Sequence, residues 1–140
     1  MYMEAIFKKY HSDKIKHGYI RIYEKIFSDL KDRELNFLEI GLGSINPDLN
    51  SNMKSYKDKF NDYQPADSLH AWAEYFENKN TNIFGIDIDD TILSTDNQKI
   101  SAFKCDSTDS KAVNMLFPMN NFDIIIDDGL HTSKGQIETL

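Results

Sequence analysis

Apolar positions along the 140-residue chain follow two different periods. Near the N-terminus they recur at helical spacing. Ile6, Phe7 and Tyr10 predict a helix over 2–10, and Ile20, Tyr23, Ile26, Phe27 and Leu30 predict a second over 19–30. Further along, short unbroken apolar runs bounded by turn-forming residues predict buried strands at 36–41, 83–88, 101–105 and 122–126. Helical patterns alternate with them. One helix opens with Asp67 or Ser68 as its cap and carries Leu69, Trp72, Tyr75 and Phe76 on its apolar face. Another covers 110–117 and is stopped by Pro118, and a last one begins at 132 and runs to 140. This alternation predicts right-handed crossovers and a mostly parallel sheet, an α/β fold in which 1–34 is a helical cap and 35–140 the sheet domain.

Residues 45–66 break the pattern. They hold Pro47 and Pro65 among Asn, Asp, Ser and Lys, and predict a long irregular insertion with one helical turn near 53–60. Insertions of that length in a compact domain are commonly functional or mobile. The polar link between the first two helices, His11-Ser12-Asp13-Lys14 followed by His17-Gly18-Tyr19, is rich in functional side chains that the sheet pattern does not place.

Composition narrows the classes. With 40% hydrophobic and 28% charged residues the chain is globular in balance, and its length suits one domain with a real core. A net charge of −7 argues against a nucleic-acid or anionic-membrane partner, either of which favours a basic face. No apolar run approaches the ~20 residues of a membrane span, and the N-terminus lacks the apolar stretch of a signal peptide. Cys105 is the single cysteine, which excludes an internal disulfide and fits a reducing compartment, so the expected location is cytoplasmic.

The candidate chemistry lies where the predicted strands end. Phe37-Leu38-Glu39-Ile40 runs into Gly41-Leu42-Gly43-Ser44, a strand breaking into a tight loop whose backbone a ligand can approach closely. Asn46 stands where a third glycine would complete a dinucleotide fingerprint. The next strand ends in Asp87-Ile88-Asp89, the third is followed by Asp106-Ser107, and the fourth ends in Asp127-Asp128-Gly129-Leu130-His131. Ligands of parallel sheets bind outside the carboxyl ends of the strands, and an acid one strand after a glycine loop suits ribose hydroxyls.

In this order, residues 37–44, Phe84-Gly85-Ile86-Asp87-Ile88-Asp89, Cys105-Asp106 and residues 122–128 resemble the successive motifs of class I S-adenosylmethionine-dependent methyltransferases, with their Rossmann-like fold. More narrowly, Ser12-Asp13-Lys14 with His17-Gly18-Tyr19, Ser51-Asn52-Met53, Ser68-Leu69 with Trp72 and Tyr75-Phe76, and Asp127-Asp128-Gly129-Leu130-His131-Thr132 resemble the sugar O-methyltransferases of the macrocin and mycinamicin type. The resemblance implies that 35–140 binds S-adenosylmethionine. Glu39, Gly41, Gly43 and Ser68 would lie about its methionine part, Asp87 would hold the ribose, Asp106 and Ser107 would flank the adenine, and Asp127 would also serve the cofactor. It further implies Asp128 as a ligand of Mg2+ and His131 as the general base. The acceptor would be a hydroxyl of a sugar-containing small molecule or polysaccharide precursor. A hard cation lowers the pKa of a bound hydroxyl, and a neutral imidazole can take the proton.

The pattern departs from that family in two respects, one being that residues 63–68, Tyr-Gln-Pro-Ala-Asp-Ser, are less glycine-rich than their family counterpart. The family's sheet has seven strands and further metal-binding carboxylates after the fifth, whereas four strands are legible here. That suggests a piece of a longer protein or, alternatively, a homo-oligomer joined through the last strand's open edge. Two rival functions fit parts of the sequence. Asp87-Ile88-Asp89-Asp90-Thr91 with Asp127-Asp128 imitates a haloacid-dehalogenase-like, Mg-dependent phosphatase, and the chain could instead be an inactive cofactor-binding fragment.

Overall fold

A computed structural model describes residues 2–51, 53–118, 121–129 and 131–139. Asn52 and Leu130 of the family-like motifs, and Leu140 at the end of the expected last helix, lie outside the described residues. Helices α1 (Tyr2–Lys9) and α2 (Tyr19–Phe27) precede strand β1 (Asn36–Ile40). Helices α3 (Met53–Lys59) and α4 (Asp67–Tyr75) separate it from β2 (Asn82–Asp87). Then come β3 (Ile100–Lys104), α5 (Ser110–Leu116), β4 (Ile124–Asp127) and α6 (Ser133–Thr139).

The strands form one sheet of order β3-β2-β1-β4, and each paired neighbour is parallel. The chain lays down β1, β2 and β3 outward in one direction, then returns to place β4 on the other side of β1. Between β1 and β4 is the switch point at which such sheets bind ligands. As an edge strand, β4 leaves Ile125 58% exposed.

Side-chain alternation along β1 divides the core. Leu38 and Ile40 face a layer made by Ile86, Cys105 and the aromatic rings of Phe84, Phe103, Phe117 and Phe122. Phe37 faces the opposite layer, where α1, α2 and α4 pack around Trp72. That indole has no exposed surface, and its ring centroid lies 4.7 Å from Phe7 and 4.9 Å from Phe37. Aromatic pairs at such separations add to the large area each ring buries, and deleting a core tryptophan typically costs about 3–5 kcal/mol. The helical cap expected over the first 34 residues therefore shares its core with α4 and the sheet.

Two local expectations change. The cap position of α4 is Ala66, in a left-handed conformation with φ 65° and no side-chain cap bond, rather than Asp67 or Ser68. Asp67 instead accepts a hydrogen bond from the Gln64 amide at 2.8 Å, and Ser68 turns inward to the sheet. The helical turn foreseen near 53–60 is a full helix, α3, seated on the insertion. No helix among the described residues is long and apolar enough to cross a membrane.

Candidate functional site

A cavity of about 830 Å³ opens at the carboxyl ends of the strands. That volume lies within the roughly 300–1,000 Å³ typical of small-molecule sites. Its floor is Ile40-Gly41-Leu42-Gly43-Ser44. Gly41 has φ +84°, and a Cβ there would run into the backbone of Asp128 and Gly129, so β1 and β4 can close together only over a bare backbone.

Asp87 fixes this floor. Its Oδ2 accepts the Leu42 amide at 2.7 Å and its Oδ1 the Asp89 amide at 2.9 Å. Asp89 is buried, where Ser44 Oγ donates to it at 2.5 Å and Thr91 Oγ1 at 2.7 Å. Burial opposes the charge on Asp89, and these donors outweigh it, holding the carboxyl below its usual range. Tyr63, from the insertion, donates its hydroxyl to the Gly43 carbonyl at 2.8 Å. Burial pushes that phenol well above its ordinary value.

The far end of the cavity is lined by Asp106 and Ser107 after β3. Asp106 lies below its usual pKa because Thr108 donates to it through both hydroxyl and amide. Ser107 is 3.1 Å from Thr139 on α6. The β4 side contributes Asp128, Gly129 and His131, with His131 Nε2 3.4 Å from Asp128 Oδ1.

Of the residues singled out from sequence, Gly41, Gly43, Ser68, Asp87, Asp106, Ser107, Asp128 and His131 all line the cavity. Glu39 and Asp127 do not, for different reasons. Glu39 shares the face of Phe37 and is wholly buried beneath the cap. Asp127 is in register with Ile40 and shares its face, but on the edge strand it is exposed and accepts the Gly129 amide at 3.0 Å.

The polar link that sequence reasoning left unplaced also reaches the cavity, through Asp13, Lys14, His17 and Tyr19. Lys14 lies in a short 3-10 turn, Asp13–Ile15, and its side chain is 4% exposed. Its ammonium is 2.6 Å from Glu39 Oε1 and 2.8 Å from Asp128 Oδ2. Burial alone would lower the Lys14 pKa, and the two carboxylates overcome it and raise it above the ordinary value. Ser68 Oγ completes the Glu39 shell at 2.8 Å. The Ser-Asp-Lys triplet was a visible signal, but a lysine between two helices ordinarily reads as solvated.

The phosphatase pattern is not assembled. Asp87 and Asp89 hold the loop, Asp127 is not among the residues lining the cavity, and among the described residues no group of three His, Cys, Asp or Glu could hold a metal. The same observation bears on magnesium. Asp128 is the carboxylate the family resemblance assigns to it, with one oxygen already on Lys14, and Mg2+ there would draw the rest of its octahedral oxygen shell from water and further ligands.

Sheet order, glycine loop and switch-point cavity together make a Rossmann-like α/β fold. Comparison with solved structures gives the same fold, as it occurs in methyltransferases. MycE methyltransferase from the mycinamycin biosynthetic pathway, in complex with Mg, SAH and mycinamycin VI, is similar to this chain with a TM-score of 0.76 and 22% identity, over 98% of this chain and 34% of that one. A second crystal form of MycE with Mg and SAH gives 0.75 and 23%, over 98% and 31%. The chain thus spans about a third of the length of the structures it matches. No protein-family model and no curated protein matches the sequence.

Proposed function

We propose that this chain forms the cofactor-binding part of an S-adenosylmethionine-dependent O-methyltransferase acting on a sugar hydroxyl of a polysaccharide precursor or glycosylated metabolite. The observation that carries the reading is the Leu42–Asp87 clamp on a glycine loop at the switch point, with Asp128 and His131 at the rim of the same cavity. S-adenosylmethionine, when bound, supplies a sulfonium methyl group open to attack by an oxygen nucleophile. Gly41 and Gly43 let the backbone approach the ligand, and Asp87 has lone pairs left for ribose hydroxyls beyond its two backbone bonds. Asp106 and Ser107 bound the adenine end.

His131 takes the proton of the acceptor hydroxyl. Asp128 Oδ1 beside Nε2 favours the tautomer with hydrogen on that nitrogen, leaving Nδ1 as the basic atom. The side chain is 63% exposed, so an acceptor can reach it from solvent. Asp128 is the carboxylate the described residues would offer magnesium, and the proton transfer set out here does not depend on it. The MycE complexes with SAH support the cofactor class, and the one with mycinamycin VI supports a glycosylated acceptor.

Calorimetric titration with S-adenosylhomocysteine tests the reading. Saturable one-to-one binding is expected from the wild-type chain, and nearly equal binding from His131→Ala. Absence of binding by folded wild-type protein would overturn the assignment.

A further inference from the structure

We propose that Lys14 is a positioning residue of this site: its ammonium orients the Asp128 carboxylate toward His131 and joins that pair to the glycine-loop strand through Glu39. The inference rests on the reading of His131 as the base.

Three distant segments meet at one cation. Lys14 comes from the turn before α2, Glu39 from β1 and Asp128 from the end of β4, 114 residues from Lys14. Burying an ammonium costs several kcal/mol unless it is well paired. Glu39, with no exposed surface, meets that need from beneath. A purely structural pair would stop there. The second carboxylate is different in kind, because Asp128 is 29% exposed and lines the cavity.

The Asp128 backbone is fixed by its amide, which donates to the Ile40 carbonyl at 2.8 Å. That bond sets where the residue begins and leaves the side-chain torsion open. Gly41 and Gly129 beside it provide no side-chain wall. The donor the structure gives Oδ2 is Lys14 Nζ, and with Oδ2 so held, Oδ1 faces His131 Nε2. Ser68, Glu39, Lys14, Asp128 and His131 therefore form one polar chain from the start of α4 to the approach of α6.

The test uses the full chain labelled with 15N-histidine and reads imidazole resonances. His131 is the reporter, and His70, stacked on Tyr10 in α4, is the control for general loosening. Lys14→Met is expected to shift His131 in the same direction as Asp128→Asn, leave His70 in place, and add nothing further in the double variant. Lys14→Arg should return His131 toward its wild-type position. An unmoved His131 in folded Lys14→Met overturns the proposal, as do shifts that simply add in the double variant. If Lys14→Met does not fold, Lys14→Gln takes its place: it must move His131 in the direction of Asp128→Asn, and a still His131 in folded Lys14→Gln sinks the idea. Titration of the wild type with S-adenosylhomocysteine separately decides the cofactor assignment, so the two can fail independently.

Discussion

The Leu42 amide donates to Asp87 Oδ2 at 2.7 Å although 45 residues separate them. The acid at the end of β2 therefore shapes the glycine loop as well as facing the cavity. Hydrogen bonds to charged groups contribute about 1.5–3 kcal/mol, and an orphaned buried amide costs a similar amount. Asp87→Ala is expected to lower S-adenosylhomocysteine affinity by at least about tenfold and to lower the urea midpoint. Asp90→Ala removes a surface carboxylate 3.2 Å from Lys104 and should change neither. Equal behaviour of the two variants would contradict the clamp.

Gly41 and Gly18 separate two reasons for a glycine. Both have positive φ, +84° and +74°, but a Cβ on Gly18 meets nothing within 4 Å, whereas one on Gly41 meets backbone. Gly18→Ala should cost about 1–2 kcal/mol, the conformational term alone. Gly41→Ala should cost clearly more in denaturant titrations and should abolish cofactor binding, because β4 must move away from β1.

Cys105 lines the cavity while being 7% exposed. Burial pushes its thiol up, assisted by Asp106 and Asp109, so little thiolate forms at neutral pH. Alkylation of the folded chain at pH 7 should be much slower than in urea, and slower again with S-adenosylhomocysteine bound. Rapid labelling that ligand does not affect would place the adenine end elsewhere.

Tyr75 gives the pH dependence its sign. Its hydroxyl is buried without a hydrogen-bond partner among the described residues, and burial pushes the phenol up to about 12 from 10.0. Its contribution to stability is fully present below pH 10, where folded and unfolded chains both keep the proton. Above that the unfolded chain ionises first, and stability falls until the folded phenol also ionises near 12, by up to about 1.4 kcal/mol per pH unit. Tyr75→Phe should melt at a similar temperature at pH 7 and show a shallower decline between pH 10 and 12.

Much of this was legible in the sequence because strands, loops and cavity share one local grammar. The unbroken run at 83–88 and the glycines at 41 and 43 mark β2 and the loop without help from distant residues. Glu39 and Asp127 show where that grammar stops. Both sit at a strand end, where an acid suggests a ligand, yet the pleat sends Glu39 under the cap, and the open edge of β4 leaves Asp127 in solvent. Lys14 was beyond reach for a different reason. What makes it a buried cation is a pair of carboxylates supplied by β1 and by the end of β4, and no local pattern encodes that meeting. Tyr63 likewise earns its place only when the insertion folds back on Gly43.

The order β3-β2-β1-β4 also has a temporal meaning. A nascent chain can pair β1 with β2 and β2 with β3 while β4 is still unmade, and that intermediate already holds the Leu42–Asp87 clamp. It lacks Asp128, so the Lys14 ammonium has Glu39 alone as its carboxylate partner. Docking of β4 brings the second carboxylate to Lys14 and closes the cavity in one event, and its loop closure is the longest in the site. Cofactor binding should therefore report the last step of folding, and ligand present during refolding should act on the final docking rather than on the earlier sheet.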